Sequence, residues 1–250
     1  MTREAYSFVR TFRPEPAREL RVDRHYLLCA SAGALRLEAG DQSWLLPPAR
    51  AALIEAGQPI TVSIPQPVTS ASVLFDRGFV PAPAAPLAVF DLSPLARALV
   101  AECGAWGEGD EPLADYPRAL FAALAAVTWR LATQPSPMVV PAGRSPEVRR
   151  ALRLTGERLA DEVRFEDVAH EVGLTPRSLA RRFETEIGMS WRAVLRRLRV
   201  IRAIERLAAD DTSVTAIGLG VGYASLSAFN AAFRELTGLT PTQYRATFRP

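Results

Sequence analysis

An internal repeat near the end of this 250-residue chain constrains its fold more than any other feature. RFEDVAHEVGLTPRSLARRFETEIGMSWRAVLRRLR (164–199) aligns with SVTAIGLGVGYASLSAFNAAFRELTGLTPTQYRATFR (213–249). At an offset of 49, Val168, Ala169, Val172 and Gly173 match Ile217, Gly218, Val221 and Gly222. One residue is inserted in the turn. At an offset of 50, Leu179, Phe183, Gly188, Ser190 and Arg199 then match Phe229, Phe233, Gly238, Thr240 and Arg249. Each copy predicts a helix-turn-helix, at 165–188 and 213–238. A tiny residue, Ala169 or Gly218, marks where two helices cross closely. Gly173 or Gly222 supplies the left-handed backbone of a sharp turn. Thr175, followed by Pro176, or Ser225 then caps the second helix. Leu179 and Phe183 lie four apart and turn inward, as do Phe229 and Phe233. Thr240-Pro241-Thr242-Gln243 has the pattern of a capping box. A long helix from about Trp191 to Ala209 joins the copies, rigid enough to hold two reading helices about one DNA turn, roughly 34 Å, apart. The bland alternative is a helical bundle that binds nothing. One such pattern is weak evidence, but two in register are strong.

Charge placement agrees with a polyanion partner. All thirty basic residues are arginine. Arginine holds its charge and forms paired hydrogen bonds to phosphate and to guanine edges. Residues 1–140 carry a net charge of −2 and residues 141–250 carry +5. A basic C-terminal half behind a slightly acidic front suits a nucleic-acid module joined to a domain with another task.

The front reads differently. Between Tyr6 and Phe75, short strands such as HYLLCAS (25–31), ALRLEA (34–39), SWLL (43–46), AALIEA (51–56), ITVSI (60–64) and SASVLF (70–75) alternate with turns at Ala32-Gly33, Gly40-Asp41, Pro47-Pro48, Gly57-Gln58-Pro59 and Pro65-Gln66-Pro67. This spacing predicts a sandwich or small barrel. PAPAAP (81–86) reads as a connector. Helices are expected at about 93–106, opened by Ser93-Pro94, and 116–133. Leu120, Leu124, Val127 and Leu131 form a stripe on the second, either core or subunit contact. The proline-rich stretch 135–145 reads as a linker between a domain at 1–134 and a helical domain at 146–250, opened by Ser145-Pro146. The expected fold is mixed α and β in two domains. No apolar run approaches the roughly 18 residues that cross a bilayer. The N-terminus lacks a signal peptide's apolar middle, so a cytoplasmic protein is expected.

GLTPRSLARRFETEIGMS and VGYASLSAFNAAFRELTGLTPTQYR resemble the two signature blocks of the AraC/XylS family of transcription regulators. The strand region, with GALRLEAGDQSWLLPPARAALIEAGQPITV, is similar to the cupin-like β-barrel effector domain often found at the front of that family. The resemblance implies an effector-binding front domain that forms a homodimer and a double helix-turn-helix rear domain on double-stranded DNA. It also implies action near promoters through RNA polymerase, with family habit leaning to activation. The family's base-contacting positions fall on Arg177, Ala180 and Arg181. By spacing, Ser178 shares the outward face, and Arg182 is a further candidate for reading DNA, its alternative being a place against backbone or the linker helix. In the second copy Leu226, Ser227, Asn230 and Ala231 correspond. Family members commonly carry arginine where Ala231 stands, which makes this copy chiefly a positioner. Ser227 is expected on base or phosphate and Asn230 on adenine. Backbone amides near Ser225 and Thr240 are expected on phosphates. Arg192, Arg196 and Arg202 either add phosphate contacts or form a solvated face.

The front domain cannot be a histidine-rich metal site, because the chain has only His25 and His170, so neither metal nor cofactor is expected. Candidate residues around a small-molecule effector are His25, Tyr26, Trp44, Ile54 and Ile60, with Leu28, Leu35, Leu37 and Val62 as further liners. His25 reads more simply as structural, and the barrel reads equally well as filled core. Register decides which side chains point inward. Two rival functions remain. One is an adaptor controlled by a protein partner. The other is an alkylation-repair methyl acceptor, for which Cys29 and Cys103 lack the activating zinc cluster. No other catalytic motif is present, and the chain is not expected to be an enzyme.

Overall fold

A computed structural model describes residues 3–40, 42–134, 139–141, 143–161, 163–209 and 211–246. Arg249 of the repeat, Asp41 of the Gly40-Asp41 turn and parts of the expected linker lie outside the described residues. The described residues divide into two compact units: a front unit from 1–39 and 45–137, and a rear unit from 40–44 and 138–246.

The front unit is built on antiparallel strands. One sheet has the order β1 (Ala5–Phe12), β8 (Val68–Phe75), β3 (His25–Ala32), β6 (Arg50–Ile54), β9 (Leu87–Asp91). Opposite it, β4 (Leu35–Ala39) and β2 (Glu15–Leu20) both pair with β7 (Ile60–Ile64). β3 is buried on both faces, which is why HYLLCA reads as a continuous apolar run. Leu27 and Cys29 pack with Leu53, Val73 and Phe75 beneath two helices, α1 (Pro94–Cys103) and α2 (Asp115–Ala132). Tyr26 and Leu28 point the other way. Ser93 caps α1 by accepting from the Ala96 amide at 3.1 Å. The α2 stripe is core: Leu124 is fully buried, and Leu120, Val127 and Leu131 pack on the same cluster.

Two strands depart from the sequence reading. β9 lies beyond the expected strand range of 6–75. Buried Arg50 sits directly opposite its Asp91, with Nε donating to Oδ1 at 2.8 Å. Val139–Pro141 (β10), inside the expected linker, pairs with Gln42–Trp44 of β5 (Gln42–Leu46).

From Pro146 onward the described rear unit is helical. α3 (Pro146–Glu157) is capped by Ser145, and α4 (Phe165–Glu171) and α5 (Pro176–Arg182) form the first helix-turn-helix. A π-helical turn, Phe183–Ile187, extends α5 to Gly188. α6 (Trp191–Ala209) then runs about 28 Å at 1.5 Å per residue. α7 (Val214–Gly220), α8 (Leu226–Thr237) and α9 (Pro241–Ala246) complete the second copy. Gly173, Gly188, Gly222 and Gly238 all have positive φ, between 71° and 92°. The turns and caps therefore fall where the repeat requires them.

Candidate nucleic-acid interface

In both copies the first helix of the pair presses on the second. Gly218 has no room for a side chain: a Cβ there would stand 2.7 Å from the Phe229 ring. The first copy has Ala169 against the smaller Leu179, both fully buried. The same crossing is thus filled by two complementary size pairs.

This burial fixes what α5 presents outward. Thr175 accepts from the Ser178 amide at 3.2 Å and starts the helix. Leu179 and Phe183 are buried, so Arg177, Ala180 and Arg181 are exposed. Among the described residues, neither the Arg177 nor the Arg181 side chain makes an ion pair or hydrogen bond, so both retain every donor. Ser178 is half-buried, its hydroxyl accepting from Thr175 Oγ1 at 2.9 Å.

Arg182 departs from the expectation that it reads DNA. It is half-buried and donates to Glu147 of α3 at 2.7 Å. One helical step further, Glu186 accepts from the Arg144 amide, the Ser145 amide and the Ser145 hydroxyl, each at 2.8 Å. Burial works to raise the Glu186 carboxyl pKa, but these hydrogen bonds and nearby Arg182 outweigh it and leave the value lowered. These two acids anchor α3 to the back of α5 and its π-helical turn. The sequence reading missed both, because their partners lie about 35 to 42 residues away.

The second copy is held differently. Arg196 of α6 makes a two-pronged ion pair with Glu235 of α8, both contacts at 2.9 Å. Arg199 donates to the Leu159 carbonyl at 3.1 Å and covers the Tyr223 ring at 5.7 Å. Arg202 pairs with Glu205. Of the three α6 arginines considered for phosphate, Arg196 and Arg202 are therefore engaged within the protein. Arg192 is exposed and shares a cleft of about 190 Å³ with Ala180 of α5. On α8, Ser225, Leu226, Ser227 and Ala231 are exposed, and Ser225 accepts from the Ala228 amide at 3.2 Å. Asn230 is half-buried, with Oδ1 buried and lacking a hydrogen-bond partner. A paired contact to adenine needs both amide atoms, so this placement counts against the expected adenine contact. Thr240 and Gln243 form the reciprocal capping box: Gln243 Oε1 accepts from the Thr240 amide at 3.0 Å, and Thr240 Oγ1 from the Gln243 amide at 3.3 Å.

The front unit holds a half-open cavity of about 310 Å³ between its two sheets. Tyr26, Leu28, Leu35 and Val62 line it, as the sequence suggested. His25, Leu37, Trp44, Ile54 and Ile60 do not line it, though all are buried. His25 shares strand parity with Leu27 and so faces the helices. There its ring meets Trp129 edge-on at 6.2 Å, and Nδ1 accepts from the Ala56 amide at 3.2 Å. Burial holds its pKa below the usual histidine value. The liners missed from sequence come chiefly from β1 and β2, including Phe8, Arg10, Glu15 and Arg18. Regular alternation from Phe8 reaches Arg10 and Phe12, but a bulge between Glu15 and Arg18 breaks the count on β2.

Cys29 and Cys103 are both buried, and burial pushes each thiol up to about 12. Neither forms a thiolate near neutral pH, which disfavours a cysteine methyl acceptor. Among the described residues, no group of three or more His, Cys, Asp or Glu is placed to hold a metal, and no helix is long and apolar enough to cross a membrane.

A family model described as a helix-turn-helix domain matches residues 168–247. The regulatory protein PocR of Salmonella typhimurium is 32% identical over 105 residues, covering 42% of this chain and 35% of PocR. The HTH-type transcriptional activator RhaR of Pectobacterium carotovorum is 31% identical over 116 residues, covering 46% of this chain and 40% of RhaR. The match thus spans well under half the length of these two relatives. A crystal structure of an AraC-type transcriptional regulator from Chromobacterium violaceum is 28% identical and covers 41% of this chain and 92% of that one, with a TM-score of 0.40. PocR is a regulatory protein and RhaR a transcriptional activator.

Proposed function

We propose, from the premise that this chain carries an AraC/XylS-type helix-turn-helix domain, that it is a sequence-specific regulator of transcription whose front unit senses a small molecule. One observation carries the reading. Arg177 and Arg181 stand one helical turn apart on the exposed face of α5, without partners among the described residues, while Leu179 and Phe183 anchor the same helix from behind. Two unpaired guanidinium groups on a capped, anchored helix suit guanine edges in a major groove, each such pair being worth roughly 1–3 kcal/mol of discrimination.

Ala180 and Ser178 fill the floor of that face. Arg192 takes phosphate beside it, while Ser225, Ser227 and the Thr240 cap position the second copy on the backbone. The two facing sheets of the front unit suit a cupin-like barrel, and their cavity favours a small-molecule effector over a protein partner. Activation, homodimerisation, contact with RNA polymerase and a cytoplasmic location complete the proposal.

The test is selection of bound duplexes from a randomised pool by the full chain. Wild type should enrich a guanine-containing motif, and Arg181→Ala should relax preference at one position. An Arg181→Ala variant that enriches the wild-type motif unchanged sinks the assignment.

A further inference from the structure

We infer that the front-unit cavity takes a small organic monoanion, with its apolar body between the sheets and its carboxylate at Arg10 and Arg18. The inference rests on the reading of the front unit as a sensor, and it names the class of molecule sensed.

The interior asks for an apolar body. Leu28, Leu35, Val62, Ile64 and Leu74 are among its walls. The polar groups nearby are already engaged with one another. Ser70, which lines the cavity, shares a 2.8 Å hydrogen bond with Ser72 and donates to the Cys29 carbonyl at 3.2 Å. The Tyr26 hydroxyl donates to Ser72 at 3.3 Å. Among the described residues the hydroxyl protons at this end are already committed, so an apolar ligand body leaves none of these donors unmet.

Charge enters through β1 and β2. Arg10 continues the inward alternation of Phe8 and Phe12. The β2 bulge places both Glu15 and Arg18 on the lining, although a separation of three residues would put them on opposite faces of a regular strand. Arg10 and Arg18 are exposed, and neither forms an ion pair among the described residues. These three are the charged residues of the lining, and together they leave one net positive charge. A monoanion neutralises that charge; a cation or a dianion does not. At about 310 Å³ the space suits roughly 10–15 non-hydrogen atoms at about 20–30 Å³ each.

Titration calorimetry of the full chain with decanoate, decan-1-ol and decylamine tests this, with retention on selected duplex DNA measured in parallel. Decanoate should bind at least about tenfold more tightly than the alcohol or the amine. Arg10→Gln with Arg18→Gln should remove that preference and leave alcohol binding unchanged, whereas Glu15→Gln should tighten decanoate. All three positions are exposed or half-buried, so the variants keep the fold. Equal binding of decanoate and decylamine, or decanoate binding indifferent to the arginines, overturns the ligand class. Absent decanoate binding in protein that still retains DNA overturns it too, and leaves the regulator reading intact. Charge-selective decanoate binding without DNA retention supports the ligand class and removes the regulator reading instead.

Discussion

The outward face of α5 carries Arg177 and Arg181, while the same face of α8 carries Leu226, Ser227 and Ala231. Both helices begin at a hydroxyl cap, bury two side chains four residues apart and close at a left-handed glycine. Their arginines are spent differently. The first copy leaves two free toward solvent and uses Arg182 to hold α3. The second copy is itself held by arginines of α6, Arg196 through Glu235 and Arg199 over the Tyr223 ring. A duplicated backbone plan thus sets both helices, and surface chemistry separates a face with two exposed arginines from one with leucine, serine and alanine at the matching positions.

That contrast can be broken most directly on DNA. Replacing Arg177 and Arg181 together by alanine should cost roughly 2–6 kcal/mol of specific binding, read by titration on the selected duplex. Ser227→Ala with Asn230→Ala should cost less than about 1 kcal/mol. Equal losses from the two pairs erase the distinction. Packing sharpens it next. Gly218→Ala should destabilise by about 1–3 kcal/mol despite alanine's better helix propensity, because its Cβ meets the Phe229 ring. Phe229→Leu in that background should recover part of the loss. Urea midpoints at constant slope give both values, and a stabilised Gly218→Ala variant refutes the crossing argument. A smaller gain is expected from Ala231→Arg, about 1 kcal/mol on DNA with a steeper salt dependence, turning the positioner toward a reader. No gain would mean that α8 does not face a groove.

The smallest effect should appear in acid. The Glu186 carboxyl titrates below its ordinary 4.5 in the folded chain. Its contribution is therefore complete above the unfolded value and is lost as pH falls through the folded one. The melting temperatures of wild type and Glu186→Gln should differ near neutrality and converge in that acid window. A gap that persists below it denies the carboxylate its role in tying α3 to the reading helix.

The two regions were legible to different depths. In the rear unit, caps, glycine turns and inward pairs act over three or four residues, so Thr175, Gly188, Leu179 and the outward arginines could be read from the chain directly. Asn230 could not, because its Oδ1 is buried among neighbours that a helical period does not name. In the front unit the strands between His25 and Phe75 were visible from turns and alternation. β9 was not, though its one local cue was an acid able to face Arg50 across the strand pair.

By itself the amino-acid order determined the duplication, the place of each turn and which residues of α5 lie outside. Those follow from backbone conformations and side-chain periods that need no distant partner. Tertiary structure alone decided that His25 faces α2 rather than the cavity, that the β2 bulge brings Glu15 and Arg18 together, and that Arg182 answers Glu147 instead of solvent. Each of those outcomes depends on strand register or on a charge far away in the chain. Folding must bring such partners together before either can act on the other.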